Sequence, residues 1–292
     1  MLNGVLNVNK PKGWTSYDVI RHLKSIIGGS KLGHAGTLDP AAVGVLPVAI
    51  GKATKLIEFA YQLKKRYRGK VCLGYVSDTD DSDGTLLPGK DSNGLTEEQV
   101  NAALKMFEGE IEQIPPKFSA VRIGGTKAYE LARKGVDVQL RPRKVKIFAA
   151  RLLSFQAGWP AYAEIEVECA SGAYMRSIAR DLGNMLGVGG YLAELVRVAY
   201  GQLTVDKSVD PRSLNSIKDI KMYLLPPSVL VEGMPKLQLS QMQISVVTHG
   251  RKVKVDFPKS ARVAAINPLG ELVCIGKVDS EGTFYPDKLL VP

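Results

Sequence analysis

The apolar positions of this chain change period several times, and each change marks an element. In GVLNVNKPKGWTSYDVIRHLKSIIGG a short apolar run is followed by a Lys-Pro-Lys-Gly turn. Val19, Ile20, Leu23, Ile26 and Ile27 then recur at helical spacing, so the segment predicts a strand, a turn and a helix begun near Thr15 or Ser16. RYRGKVCLGYVS predicts a strand. LTEEQVNAALKMFEG predicts a helix capped at Thr96, with Glu98 nearby, and stopped by Gly109. In AYAEIEVECA, Ala163, Ile165, Val167 and Cys169 alternate with Glu164, Glu166 and Glu168, the pattern of a half-buried strand. Beyond the Ser171-Gly172 turn, Met175, Ile178, Ala179, Leu182, Met185 and Leu186 mark an amphipathic helix closed by the glycines from Gly187 to Gly190.

Strands and helices mix without a regular βαβ repeat, so the expected class is α+β rather than a doubly wound sheet. LLPPSVLVEGMPKLQLS carries Pro226, Pro227 and Pro235 and precedes a tail of short β-like runs, with turns at Asn267-Pro268 and Gly270. A boundary near Gly233 is expected, giving a main domain over 1–233 and a small all-β module over 234–292. So short a tail builds little core alone, so it should dock on the main domain. No apolar run approaches the roughly 20 residues of a membrane helix, and the start MLNGVLNVNKPKGWTS has no secretory-leader pattern. A soluble, cytoplasmic protein is expected. Cys72, Cys169 and Cys274 form no CxxC pair, which argues for buried thiols rather than a zinc site or disulfide framework.

Charge adds a partner class. The chain carries 39 basic and 29 acidic residues, a net +10, which points to a polyanion. Between Lys117 and Lys146 stand nine basic residues (Lys117, Arg122, Lys127, Arg133, Lys134, Arg141, Arg143, Lys144 and Lys146) against Glu130 and Asp137. Nine minus two is +7, most of the excess. A second cluster, KKRYRGK, places five basic residues around Tyr67, an aromatic suited to stacking on a base; either cluster reads equally as a solvated face.

Three stretches offer chemistry. GHAGTLDPAAVGVLPVAIGKATK is not a phosphate-binding loop, because six residues rather than four separate Gly44 and Gly51 and Ala53 follows Lys52. What it offers is Asp39, held between Gly-Thr-Leu and the rigid Pro40, which biases the aspartate toward extended backbone; the dipeptide alone reads first as the start of an Asp-Pro turn. SDTDDSDGTL mimics the DxDGT loop of aspartyl-phosphate phosphatases, yet Ser77 to Asp80 intervene after the strand and no Gly-Asp pair occurs in the chain. It fails as an EF-hand, with Asp83 where glycine is required. In SGAYMRSIARDLG, Arg176 falls in the first turn of the predicted helix, where a cation opposes the helix dipole at about 0.3–1 kcal/mol. Such a placement suits pairing with a carboxylate or phosphate, with a solvated arginine as the alternative reading.

Together NKPKGWTS, HAGTLDPAAVGVLP, KRYRG, SDTDDSDG, IPPKFSAVRIGGTKAYELARKG and SGAYMRSIARDLG resemble the TruB family of bacterial tRNA pseudouridine synthases, in order and spacing over nearly the whole chain. Phe118 and Arg122 stand where the family more often has tyrosine and lysine, and Asp80 adds a carboxylate to the acidic loop. The resemblance implies a mixed-sheet catalytic domain with an inserted basic thumb, about 116–146, and a PUA-like RNA-binding module. It implies Asp39 as nucleophile, Tyr67 stacking on a flipped base, Arg176 as the ion-pair partner of Asp39, and Leu195 packing against the base. His34 would enter the T loop in place of the base, and Lys10, Asp81 and Tyr174 would line the pocket. The substrate implied is tRNA, at uridine 55 of the T arm, with no metal, cofactor or obligatory protein partner. One ionised carboxylate suffices for such a reaction, attacking either the sugar C1′ or the pyrimidine C6, and a neighbouring arginine favours the ionised form. Two rivals stay open: a non-catalytic RNA-binding or RNA-folding protein, for which Asp39 is dispensable, and a metal-dependent phosphotransferase using Asp81 and Asp83.

Overall fold

A computed structural model of the chain describes residues 2–119, 121–133, 136 and 140–290, with the backbone alone for Arg122, Ile123, Lys127, Tyr129, Ala132 and Arg133. In chain order the elements are β1 (Gly4–Lys10), α1 (Ser16–Ile27), β2 (Leu32–His34), β3 (Val43–Ile50), α2 (Ile57–Ala60), β4 (Lys65–Leu73), β5 (Tyr75–Ser77), β6 (Leu86–Pro88) and α3 (Glu97–Lys105). Next come β7 (Gly109–Gln113), β8 (Arg122–Ile123), β9 (Thr126–Lys127), α4 (Ala128–Arg133), β10 (Arg143–Gln156), β11 (Ala161–Cys169), α5 (Met175–Met185) and β12 (Gly190–Tyr200). The remainder is β13 (Leu203–Thr204), α6 (Ile217–Met222), β14 (Leu224–Leu225), β15 (Lys236–Gln238), α7 (Gln241–Val247), β16 (Val253–Lys254), β17 (Ser260–Ile266), β18 (Leu272–Val278) and β19 (Thr283–Leu289). These form two compact units, one of Met1–Pro40, Gly44–Leu63 and Tyr200–Pro292, the other of Ala41–Val43 and Lys64–Ala199.

In the first unit, β1 lies between β14 and β3, antiparallel to both, and β2 pairs with β3. Period two sorts its side chains into two cores. Leu6, Val8, Leu46, Val48 and Ile50 pack with Val19, Ile20, Leu23 and Ile27 of α1. Val5, Val45 and Ala49 face the other way, against Leu56, Phe59, Leu230, Ala264, Ile275 and Leu290. A sheet covered on both faces explains why β1 and β3 read as nearly unbroken apolar runs. Helix α1 starts at Thr15, whose hydroxyl accepts from Asp18 N–H while Asp18 reaches back, a complete capping box.

The tail builds the sheet β15-β17-β18-β19-β16, parallel only between β15 and β17. Alternation again divides it. Val263, Ala265, Cys274 and Phe284 make a core of its own with Leu237 and Val247, while Ala264 and Ile275 point into the core shared with α2. Alongside the expected strands it holds one short helix, α7, capped by a Ser240–Gln243 box.

In the second unit the sheet runs β12-β4-β11-β10-β7. Ala163, Ile165, Val167 and Cys169 are buried with Val100 and Leu104 of α3 and Ile178, Ala179 and Leu182 of α5, as the alternation of β11 and the spacing in α5 predict. Met185, part of that spacing, is 44% exposed at the end of the helix. Helix α3 is capped by Thr96 with Gln99 rather than Glu98, and ends at Lys105, short of Gly109. Gly109 instead opens β7 with φ +107. The acidic face of β11 answers the basic strip: Arg68 pairs with Glu166 and Lys64 with Glu168, both at 2.9 Å. Two of the five basic residues of KKRYRGK are thereby paired with acids on the sheet face. Gly183 must be glycine, since a Cβ there would lie 2.2 Å from Gly190 N. Among the described residues no helix is long and apolar enough to cross a membrane.

Candidate active site

Asp39 lies on the half-buried loop between β2 and β3 of the first unit, and its flanking residues are fastened on both sides by the NKPKGWTS segment. Before it, the Ser16 hydroxyl accepts the Leu38 N–H at 2.9 Å and donates to the Leu38 carbonyl at 3.2 Å. Ser16 and Leu38 are both buried. After it, the Pro40 carbonyl accepts from Gly13 N–H at 2.8 Å and from Lys10 Nζ at 3.2 Å. The Lys10 ammonium, fully buried, also donates to the carbonyls of Pro11 and Trp14 at 3.0 and 2.6 Å. Gly13 closes this turn with φ +85, a conformation costly for other residues. The Leu38–Pro40 backbone is therefore held by hydrogen bonds whose loss would strand buried polar groups. His34 ends β2 opposite Val48, half-buried.

The other predicted residues belong to the second unit. Arg176, in the first turn of α5, is buried; its guanidinium lies 3.4 Å from the Asp81 carboxylate and donates to the carbonyls of Thr79 and Phe118 at 3.4 and 3.1 Å. Within its own unit the carboxylate beside this cation is that of Asp81. Asp81 is itself fixed, accepting from the Thr79 hydroxyl and from Asp83 N–H at 3.1 Å. The additional carboxylate Asp80 adopts φ +62 and binds Arg180 at 2.8 Å. Burial raises the Asp80 carboxyl above its ordinary range, opposed by Arg180 and Arg176. The acidic loop that mimics a phosphatase motif is occupied in holding these two arginines.

Tyr67 stands on β4 opposite Val167, half-buried, and with Leu195 packs against the core beneath α5. Tyr174, the N-cap of α5, leans on the small thumb core of Val121 and Ala128 with Leu131 and Leu140. Among the described residues the thumb holds the β8–β9 hairpin and α4 and runs into β10; Lys117, Arg141, Arg143, Lys144 and Lys146 are exposed, and Lys134 and Asp137 lie outside the described residues. Burial lowers the Lys65 ammonium from 10.5 to about 8, and its Nζ donates to Ser171 Oγ. Among the described residues no group of three His, Cys, Asp or Glu side chains is arranged to hold a metal ion.

The predicted set thus divides into Lys10, His34 and Asp39 in one unit and Tyr67, Asp81, Tyr174, Arg176 and Leu195 in the other. Sequence reasoning passes over Ser16, which looks like no more than a helix start, and Gln113, whose amide is fully buried.

Comparison with known proteins supplies the family. The model described as "TruB family pseudouridylate synthase (N terminal domain)" matches residues 24–175. The tRNA pseudouridine synthase B of Dehalococcoides mccartyi is 38% identical over 294 residues, spanning 99% of this chain and 97% of that one. The protein of the same name from Symbiobacterium thermophilum is 42% identical over 249 residues, 85% and 82% of the two chains. Among solved structures, a chain of a Cbf5-Nop10-Gar1 complex superposes with TM-score 0.77 at 26% identity, covering 99% of this chain and 85% of that one. A relative this similar over its whole length, a family match spanning the Asp39 loop and the thumb, and the shared fold lead to one assignment: the chain belongs to the TruB family of pseudouridylate synthases.

Proposed function

We propose that this protein isomerises uridine 55 in the T loop of tRNA to pseudouridine, with Asp39 as nucleophile. The observation that carries the reading is the clamped loop: one carboxylate stands between two residues whose backbones are each bonded to buried side chains, Ser16 before it and Lys10 after it. The curated relatives named tRNA pseudouridine synthase B support the substrate class.

The reaction breaks the N1–C1′ bond, turns the base while it is held, and joins C5 to C1′. The C5 proton leaves and N1 takes one up, so substrate and product are isomers. A carboxylate that forms and releases a covalent bond divides this into feasible steps. The target must first leave its stack at a cost of a few kcal/mol, which stacking on Tyr67 and phosphate contacts from the exposed thumb cations offset. In this reading Leu195 packs against the base, His34 takes its vacated place, Lys10, Asp81 and Tyr174 line the pocket, and Arg176 orients the nucleophile. The test is chemical mapping of pseudouridine in an unmodified tRNA transcript treated with the purified protein. A single signal at uridine 55 is expected; modification elsewhere, or none, would overturn the site or the activity.

A further inference from the structure

The local sequence gives α5 a poor start. Its N-cap, Tyr174, makes no side-chain capping bond, no acid stands in the first turn, and Arg176 places a cation there, where the helix dipole disfavours it. The N-cap backbone is instead fastened by a residue of a strand. Gln113, the last residue of β7 and fully buried, accepts Tyr174 N–H through Oε1 at 2.9 Å and donates through Nε2 to the Tyr174 carbonyl at 3.2 Å. The residues that follow it continue the support: Ser177 Oγ and Arg180 Nη2 donate to the Ile114 carbonyl at 2.8 and 2.9 Å, and Arg176 Nη2 to the Phe118 carbonyl at 3.1 Å. The root of the thumb therefore fixes the first turn of the helix that carries Arg176.

We infer that Gln113 is a positioning residue for pseudouridine formation, setting Tyr174 and Arg176 through the backbone of the helix N-cap. The inference rests on the proposed function. A side-chain amide presents one acceptor and one donor in this spacing whatever the pH. Methionine fills the same volume with neither. Glutamate supplies the acceptor alone when ionised, and both when protonated.

The experiment uses the full-length chain and follows release of the C5 hydrogen from a C5-tritiated tRNA transcript, with kcat, KM and melting temperature measured for each variant. Gln113→Met should lower kcat about ten- to hundred-fold, the scale of an ångström-level misplacement, with KM near wild type. Ser92→Ala is the comparison for stability alone. Ser92 is fully buried, donates to the Gly158 carbonyl at 2.7 Å and accepts from Ala161 N–H at 3.2 Å, at the far end of β11 from α5. It should melt earlier than wild type and keep its kcat. Gln113→Glu should recover relative to wild type as pH falls, because its protonated carboxyl again serves both Tyr174 groups. A wild-type kcat in Gln113→Met, an equal kcat loss in Ser92→Ala, or a flat Gln113→Glu to wild-type ratio across pH would each overturn the inference. Should Gln113→Met fail to fold, that ratio decides. A wild-type protein that releases no tritium from tRNA refutes the functional reading itself, and this inference with it.

Discussion

Removing one hydroxyl, Ser16→Ala, tests the clamp on the Asp39 loop with little change of volume. The Ser16 Oγ bonds both Leu38 backbone groups, at 2.9 and 3.2 Å, and both residues are buried. A buried backbone group left without a partner costs about 1–3 kcal/mol, so two cost about 2–6 kcal/mol together. Unfolding entropy of about 2.1 cal/mol/K per residue amounts to roughly 0.6 kcal/mol/K over the 292 residues, so the melting temperature should fall by roughly 3–10 °C. The loop is also released next to its carboxylate, so turnover at saturating tRNA should drop by more than the unfolded fraction explains. Ser25→Ala serves as comparison: its exposed hydroxyl donates to the His22 carbonyl, and its loss should stay within about 0.5 kcal/mol. Scanning calorimetry and single-turnover assays on both variants decide the matter. A Ser16→Ala protein with the melting temperature and turnover of Ser25→Ala would refute the clamp.

Ending the chain after Gly233 should leave a fragment that aggregates or binds a hydrophobic dye, because Ala264, Leu272, Ile275 and Leu290 of the tail complete the core around Leu56 and Phe59 and each large apolar side chain contributes about 1.5–3 kcal/mol; a fragment melting like the whole protein would contradict this. Lys65 has its ammonium lowered by burial from 10.5 to about 8, so between those values the unfolded chain holds a proton the folded chain has released, and stability rises with pH. Wild type should therefore gain on Lys65→Met in urea titrations from pH 8 to 10.5, by up to about 3 kcal/mol at about 1.4 kcal/mol per pKa unit; a constant difference would refute it. Replacing the exposed Arg141, Arg143 and Lys144 with glutamine should reduce the slope of log affinity for tRNA against log salt by about 0.7–0.9 for each phosphate no longer neutralised, and an unchanged slope would place the thumb away from RNA.

Local pattern carries the parts of this fold that depend on local physics. The Thr15 cap, the two-residue alternation of β11 and the apolar stripe of α5 are all legible, because each is a relation among residues close in sequence. What stays hidden depends on register and distant partners. Nothing in KKRYRGK shows that Glu166 and Glu168 will lie beside Arg68 and Lys64, which follows only from the pairing of β4 with β11. The end of α3 at Lys105 escapes the pattern because Gly109 resembles a helix stop, while its positive φ serves the entry to β7. α7 hides in the tail, where QMQISVV has too few turns to declare a period. Within the candidate site, Asp39 and Arg176 draw attention as a carboxylate before proline and a cation in a first turn. Ser16 and Gln113 give no such signal, since a serine at a helix start and a glutamine at a strand end are commonplace until their backbone partners, 22 and 61 residues away, are known.

The central claim, that Asp39 performs the chemistry, is tested most directly by Asp39→Asn assayed for pseudouridine formation on a tRNA transcript at saturating concentration, with binding measured in parallel. Asparagine preserves the shape and hydrogen-bonding capacity of the side chain, so the loop held by Ser16, Gly13 and Lys10 should survive. A lost turn costs roughly 1–2 kcal/mol, whereas a lost nucleophile removes a covalent route that accounts for many kcal/mol of rate enhancement. The account predicts tRNA affinity close to wild type and no detectable pseudouridine. Turnover above about one per cent of wild type, roughly 2.7 kcal/mol, in protein free of deamidation and native contaminant would contradict it.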